Sequence, residues 1–229
     1  MSKLLINGCS YTVNWNQTCR EFGKKLNFET TINLSLSGSS NDRIFRSTLE
    51  YIFKNKVDFV ILALTFWDRQ EAPWSKEGTW TDYSSKGIMR PSEVVSPDIY
   101  DNYIQDRFRY DIDNNYIDKL LNNIITFSGW LDSQNIKYLI FSSPGGHYTE
   151  TGLLFNHHEN TFEKLDYVRK NPRLIDGGDW SSNRYMADNG GVSEEKDQQL
   201  DPTIKHYNAD SFNILNRFII DYVKQHNLL

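Results

Sequence analysis

The stretch DFVILALTF, residues 58–66, is an almost unbroken apolar run between polar neighbours. A strand of a parallel sheet that is covered by helices on both faces has this kind of sequence, because all of its side chains are buried. A run of this length is too short for a typical helix. The stretch therefore predicts the central strand of an α/β sheet.

Segments with strand and helix patterns alternate on both sides of this run. The apolar spacing predicts strands over 3–8, 30–36 and 136–143, and helices over 17–26, 41–54, 116–131 and about 209–223. Repeated strand and helix segments are typical of a doubly wound sheet. We expect a three-layer α/β/α sandwich with a mainly parallel, flavodoxin-like sheet.

Chain length favours one domain. A chain of 229 residues buries a full core on its own, so we expect a single domain over 1–229. Two segments, 67–112 and 144–205, interrupt the alternation and predict long loop insertions, each of which is a binding loop, a lid or a disordered stretch. The first contains Trp67, Trp74 and Trp80. These residues form either a platform for sugars or a small secondary core.

Composition excludes several classes of partner. The net charge of -5 and the pI near 5.6 disfavour nucleic acid. The N-terminal apolar run is shorter than that of a signal peptide, and no stretch approaches the roughly 18 apolar residues of a membrane span. With two cysteines, we expect reduced thiols and a cytoplasmic protein that binds neither nucleic acid nor membrane. Oligomeric state is left open.

Two further features concern source and metal. Abundant Asn, Lys, Ile and Tyr are typical of an AT-rich genome such as that of a phage, which would make virion association the alternative location. His157 and His158, with Glu159 and Glu163, are the candidate metal ligands. Because adjacent helical residues point in different directions, we expect neither a metal nor another cofactor.

The hexapeptide NGCSYT, residues 7–12, follows the first predicted strand. Small residues there fit a sharp turn from strand to helix that presents the hydroxyl of Ser10. Ligands of open α/β sheets bind at the carboxyl ends of the strands, and the Ser10 amide would also face a developing oxyanion. The alternative is that Ser10 or Thr12 only caps the helix.

A histidine near the other end of the chain supplies a base. His206 stands in DPTIKHYNADSF, residues 201–212, just before the final predicted helix. A serine hydroxyl becomes a nucleophile when a base removes its proton, and a carboxylate orients that base. Asp201 is the nearby candidate for this acid. The alternative for His206 is helix capping or simple surface exposure.

These motifs resemble the SGNH, or GDSL-type, hydrolase family. NGCSYT is similar to the family's first motif, which places Ser10 at the nucleophile. NLSLSGSSND, residues 33–42, resembles the second motif, which implies that the Gly38 amide binds the oxyanion. His206 matches the family's base. The resemblance implies a three-layer α/β/α fold and ester hydrolysis.

The chain departs from the family pattern before the serine and after the third strand. Cys9 replaces the usual aspartate. The family's third motif carries an oxyanion-binding asparagine, whereas this chain reads LTFWDRQE over 64–71. Thr65, Arg69 and Asn41 are the candidates to replace it.

The acid departs as well. Asp201 lies five residues before His206, where the family has three, and Thr203 occupies the family position. Three interpretations stay open: a longer loop brings Asp201 to the base, a backbone carbonyl orients His206 in a Ser-His dyad, or the site has lost activity.

Residues beyond the motifs are candidates for substrate binding. These are Thr65, Trp67, Arg69 and His147. Arg69 either binds an anionic substrate group or pairs with Glu71, and His147 is a rival base or part of a surface turn. We expect a serine-dependent ester hydrolase that removes acyl groups from a small molecule or carbohydrate. The alternative is an inactive glycan- or ligand-binding protein on the same scaffold.

Overall fold

A computed structural model describes residues 2–66, 69–73, 80–84, 87–88, 113–144, 159–195, 200 and 205–229. The strands are β1 (Lys3–Asn7), β2 (Thr30–Asn33), β3 (Phe59–Leu64), β4 (Gln70–Pro73), β5 (Trp80–Ser84), β6 (Gly87–Ile88) and β7 (Lys137–Ser142). The α-helices are α1 (Ser10–Val13), α2 (Cys19–Lys25), α3 (Asn41–Lys54), α4 (Asp113–Ser133), α5 (Glu159–Arg169), α6 (Ser182–Asp188) and α7 (Phe212–Gln225). Short 3₁₀ turns cover Asn14–Gln17, Ile175–Gly178 and Ala209–Ser211.

The main sheet has four parallel strands in the order β2-β1-β3-β7. This is the start of the flavodoxin-like order, in which the sheet grows outwards from β1 in both directions. β3 pairs with β1 on one side and with β7 on the other, and all six of its residues are buried. The predicted α/β fold and its central strand are therefore confirmed.

Alternate residues of β3 face two separate parts of the core. Phe59, Ile61 and Ala63 pack with residues of α2 and α7, whereas Val60, Leu62 and Leu64 pack with residues of α3 and α4. Because successive side chains of a strand point to opposite faces, helices cover the sheet on both sides. This is the predicted three-layer arrangement.

The prediction that both insertions are loops was wrong. In the first, β4, β5 and β6 form an antiparallel sheet. In the second lie α5, α6 and two parallel bridges, Ile140 to Leu174 and Ser142 to Ser181, which extend the main sheet beyond β7. These elements are short and their apolar residues are few. Their periodicity was therefore hidden by the polar composition of the two segments.

Two predicted element boundaries also differ near the N-terminus. The helix predicted over 17–26 is preceded by α1 and a 3₁₀ turn, so the chain is already helical at Ser10. β2 ends at Asn33 rather than at residue 36, because the Asn33 side chain accepts a hydrogen bond from the Ser35 amide at 2.9 Å. Such an Asx turn competes with continued strand pairing.

The described residues also bear on membrane insertion and on disulfides. No helix within the described ranges has both the length and the apolar character that a membrane span requires. Cys9 and Cys19 are buried free thiols, in agreement with the expected reduced state.

Candidate active site

Ser10 is the first residue of α1, directly after the turn that follows β1. Gly8 makes this turn possible, because a Cβ at position 8 would lie 2.2 Å from Thr12 Oγ1 and 2.9 Å from the Ala63 carbonyl oxygen. The N-cap position belongs to Cys9, which makes no side-chain capping bond. Ser10 is partly exposed. Helix capping therefore does not explain the serine.

Thr12 does not cap the helix either. Its hydroxyl donates to the Cys9 carbonyl oxygen at 3.0 Å and lies 2.9 Å from Ser35 Oγ. Both partners lie beside the turn, one within it and one in the loop after β2. Thr12 thus joins the two loops that border the Ser10 hydroxyl.

Asn7 anchors the end of β1 to α3. Its amide nitrogen lies 3.0 Å from the Ile44 carbonyl oxygen, 2.8 Å from Ser47 Oγ and 2.9 Å from Thr48 Oγ1. Its side-chain oxygen accepts a hydrogen bond from the Gly8 amide at 2.9 Å. These contacts fix the end of β1, three residues before Ser10.

His206 lies in a segment that three distant parts of the chain hold in place. Its carbonyl oxygen accepts from the Glu194 amide at 2.8 Å. The neighbouring carbonyl oxygens of Lys205 and Tyr207 each accept from an asparagine side chain at 3.0 Å, Asn183 and Asn14 respectively. The segment is therefore joined both to α6 and to the 3₁₀ turn after α1.

The His206 ring stacks on the Tyr11 ring, with 4.8 Å between centroids and an interplanar angle of 16°. Because Tyr11 directly follows Ser10, the structure brings the imidazole from the end of the chain beside the serine turn at its beginning. Trp15 reinforces this contact: its indole nitrogen donates to Asn216 Oδ1 of α7 at 2.7 Å, and its ring stacks on Phe212.

The loop after β2 lies beside the serine turn. The Leu36 amide donates to the Gly8 carbonyl oxygen at 3.2 Å, and two residues later Gly38 is buried with a φ of 76°. Glycine adopts this backbone conformation without the strain that a Cβ would add. Gly38 therefore lies two residues after Leu36, whose amide joins this loop to the serine turn.

Asn41 braces the loop after β3. Its side-chain oxygen accepts from the Thr65 amide at 2.8 Å, and its amide nitrogen lies 3.1 Å from the Thr65 carbonyl oxygen and 3.3 Å from that of Phe66. Both ends of the amide are therefore engaged by backbone. In this arrangement Asn41 fixes the geometry of the loop after β3, and its predicted oxyanion role stays a prediction.

Arg69 is 8% exposed, and its guanidinium carbon lies 5.6 Å from the Tyr11 ring centroid and 5.3 Å from that of Phe66. Both distances fit cation–π contacts. The predicted ion pair with Glu71 is not the one that forms, because the Glu71 carboxylate oxygens lie 2.6 and 2.8 Å from Arg46. Arg69 is thus packed against the residue that follows Ser10.

Several predicted site residues lie outside the described residues. These are Asp201, Trp67 and His147, together with the alternative metal ligands His157 and His158. Their predicted roles stay predictions. Among the residues that the structure describes, no group of three His, Cys, Asp or Glu side chains is placed to hold a metal ion.

Sequence reasoning missed Tyr11 and Ser143. Tyr11 lies inside the hexapeptide NGCSYT, but this motif predicts a role only for the Ser10 hydroxyl and not for the neighbouring ring. Ser143 directly follows β7, and its position at a strand end was the available signal. Both contribute to the same end of the sheet as Ser10.

A groove of about 710 Å³ lies elsewhere, between α3 and α4. Phe45, Phe53, Phe127 and Trp130 contribute to its lining. It contains none of the predicted nucleophile, base or oxyanion residues. The predicted nucleophile and base therefore favour a site at the strand ends near Ser10 rather than in this groove.

No family model and no curated protein matches this sequence. Among solved structures, the chain is similar to the psychrotrophic esterase EstA from Pseudoalteromonas sp., with 13% identity, a TM-score of 0.49 and coverage of 98% of each chain. It is also similar to a GDSL-like lipase from Bacteroides thetaiotaomicron VPI-5482, with 11% identity, a TM-score of 0.46 and coverage of 98% of this chain and 89% of the other. A third structure is the lipase/acylhydrolase from Enterococcus faecalis, with 13% identity, a TM-score of 0.44 and coverage of 99% and 97%. These proteins are esterases and lipases. The sequence identities and TM-scores are too low to assign their function to this chain.

Proposed function

We propose that this chain is a serine-dependent ester hydrolase of the SGNH type. Ser10 attacks the ester carbonyl, and His206 accepts the serine proton and returns it to the leaving alcohol. Water then attacks the acyl group on Ser10, and His206 passes a proton from this water to the Ser10 oxygen, which releases the carboxylic acid. The observation that carries the proposal is the stacking of His206 on Tyr11 at 4.8 Å, because it joins the base to the residue after the nucleophile. A positioned imidazole is what a serine hydroxyl needs to react at neutral pH.

The developing oxyanion is held by backbone amides in this proposal. The Ser10 amide lies in the first turn of a helix, where amide groups are not used within the helix. Gly38 supplies the second amide from the loop that bonds to Gly8. Preorganised donors of this kind stabilise the tetrahedral intermediate. Asp201 is the proposed acid that orients His206.

The proposed substrate is an acyl ester of a small molecule or carbohydrate. Ser10 is partly exposed at the carboxyl ends of the strands, the usual place for ligands in such sheets. The aromatic first insertion is the proposed sugar-binding part, and its Trp67 and Trp74 are the residues to test there.

The test compares hydrolysis of 4-nitrophenyl acetate by the wild-type protein with that by Ser10→Ala and His206→Ala. We expect each change to lower kcat/KM by roughly 10³-fold or more, because the two residues act as a unit. His226→Ala is the matched control, since His226 also packs on a tyrosine, Tyr222, at 4.2 Å between ring centroids. A fluorophosphonate probe should label Ser10 in the wild-type protein.

Two results would contradict the proposal. One is a folded Ser10→Ala protein that hydrolyses the ester at the wild-type rate. The other is a wild-type protein that neither turns over esters nor reacts with the probe yet binds glycans, which would establish the inactive binding protein instead.

A further inference from the structure

Three buried polar atoms have no hydrogen-bond partner within the described part of the chain. They are Thr65 Oγ1, Arg69 Nη1 and Ser143 Oγ. Thr65 and Ser143 are fully buried, and Arg69 is 8% exposed. Buried polar atoms are nearly always hydrogen-bonded, because leaving one unpaired is unfavourable. All three stand on the segments that follow β3 and β7, so this end of the sheet is a candidate place for a polar ligand.

Thr65 and Ser143 lie side by side. Leu64 and Ser142 are register partners on β3 and β7, and the Ser143 amide continues the ladder by donating to the Leu64 carbonyl oxygen at 2.8 Å. Each residue is therefore one step beyond a paired position. By strand alternation both fall on the face of Ala63 and Phe141, which is also the face against which Trp15 and Tyr207 pack.

Arg69 connects this position to the proposed catalytic residues. The Tyr11 ring contacts its guanidinium at 5.6 Å and contacts His206 at 4.8 Å. The Phe66 ring also lies beside the guanidinium, at 5.3 Å, and neither the Tyr11 ring nor the Phe66 ring carries a negative charge that would neutralise it. Arginine stays protonated in proteins, and the nearby Glu71 is already bonded to Arg46.

We propose that Arg69 recognises a carboxylate on the ester substrate, so that the preferred substrates are monoanionic esters. This proposal rests on the proposed function and names its substrate class. Arg69 Nη1 donates to the carboxylate, and the Thr65 and Ser143 hydroxyls are the neutral donors at the same strand ends. One guanidinium matches a monoanion in charge, and its planar edge matches a carboxylate in shape.

The competing role for Arg69 is to donate to the oxyanion in place of the asparagine that the third family motif would supply. The two roles differ in their kinetic signature. An oxyanion donor acts on every ester alike, since all of them form the same intermediate. A carboxylate-binding residue affects only the esters that carry the carboxylate.

The experiment uses two pairs of esters, each differing by one negative charge. The acyl-side pair is the 4-nitrophenyl ester of glutarate and that of monomethyl glutarate. The alcohol-side pair is 4-carboxyphenyl acetate and its methyl ester. We expect Arg69→Met, which keeps apolar bulk beside the Tyr11 and Phe66 rings, to lower kcat/KM for the anionic member of one pair at least tenfold more than for its neutral member.

Further variants separate recognition from folding. Arg69→Lys should retain part of the preference for the anion, and Ser143→Ala should lower this preference by a smaller factor than Arg69→Met does. Arg217→Met, at an exposed arginine of α7, is the matched control and should leave both pairs unchanged. Melting temperatures show whether each variant is folded.

An equal fall for charged and neutral esters in both pairs, or no fall in either, would overturn carboxylate recognition while leaving the hydrolase intact. If the wild-type protein hydrolyses none of the four esters, the proposed function fails, and calorimetric binding of the same esters decides the inference. Tighter binding of an anionic ester that Arg69→Met weakens tenfold supports it. Equal binding of both members of each pair, or no binding, overturns it.

Discussion

The turn after β1 and the segment after β3 lie at the ends of neighbouring parallel strands, and they treat their polar side chains in opposite ways. In the first, the Asn7 amide and the Thr12 hydroxyl both have several partners. In the second, Thr65 Oγ1 and Arg69 Nη1 have none among the described residues. Burial does not explain the difference, because Thr12 is 1% exposed and Thr65 is 0% exposed.

The difference distinguishes polar side chains that hold the backbone in place from those that are open to a ligand. A bonded side chain fixes backbone, as Asn7 does when it ties β1 to α3. An unbonded buried donor lowers the stability of the fold, because the loss of its hydration is not compensated until a ligand binds. Ser10 therefore lies on a turn that the side chains of Asn7 and Thr12 hold in place. The neighbouring segment after β3 contains polar atoms of Thr65 and Arg69 that have no partner among the described residues. Three stability measurements test this contrast.

The largest expected effect is at Gly8. We expect Gly8→Ala to lower the free energy of unfolding by about 3 kcal/mol, since the added methyl group would overlap Thr12 Oγ1 and the backbone of Ala63. Gly129→Ala is the control: no atom lies within 4 Å of a Cβ there, and removing a helical glycine should stabilise by about 0.5–1 kcal/mol. Urea unfolding measures both. Equal values would mean that the serine turn tolerates a side chain.

The next effect is at Glu71, where paired side chains resume two residues after Arg69. Glu71→Gln should cost about 2 kcal/mol, because this nearly buried carboxylate holds Arg46 through two contacts and raises the pKa of that guanidinium above its ordinary value. Glu50→Gln removes another 2.7 Å contact to the same arginine from an exposed carboxylate and should cost under about 0.5 kcal/mol. If Glu50→Gln lowers the free energy of unfolding as much as Glu71→Gln does, burial of the carboxylate does not determine the strength of the ion pair.

The smallest effect tests the contrast most directly. Thr12→Val should cost about 1–2 kcal/mol, since it removes two hydrogen-bond contacts at nearly constant volume. Thr65→Val should change the free energy of unfolding by about 0 or stabilise slightly, because the hydroxyl it removes has no partner. Thermal and urea unfolding of the two variants give the difference. A Thr65→Val protein as destabilised as Thr12→Val would show that the hydroxyl is bonded after all.

Sequence patterns predicted the sheet and the two ends of the site for a physical reason. The core strands are continuous apolar runs, and α3 was predicted over the same residues 41–54 that the structure shows. A hydroxyl behind the first strand and an imidazole before the last helix are local signals. Their proximity followed from topology, since parallel strands end at the same edge.

What the sequence could not predict depends on contacts between distant residues. Whether Arg69 pairs with Glu71 or faces a ligand was undecided until Arg46, on α3, was seen to take the carboxylate. Asn41 was predicted as an oxyanion donor, and its contacts with the backbone of Thr65, which brace the loop after β3, had no signal in the sequence. In each case the residue type permits more than one contact, and a residue distant in the sequence decides which one forms.

The three-way attachment of the 205–208 segment affects when the protein gains function during its synthesis. Asn14 holds this segment from a part of the chain that is made much earlier, whereas Asn183 is made only shortly before it. A growing polypeptide can build the serine turn long before the histidine has left the ribosome. The proposed site would then be completed only by the final folding step, when the last segment docks on the older part of the molecule.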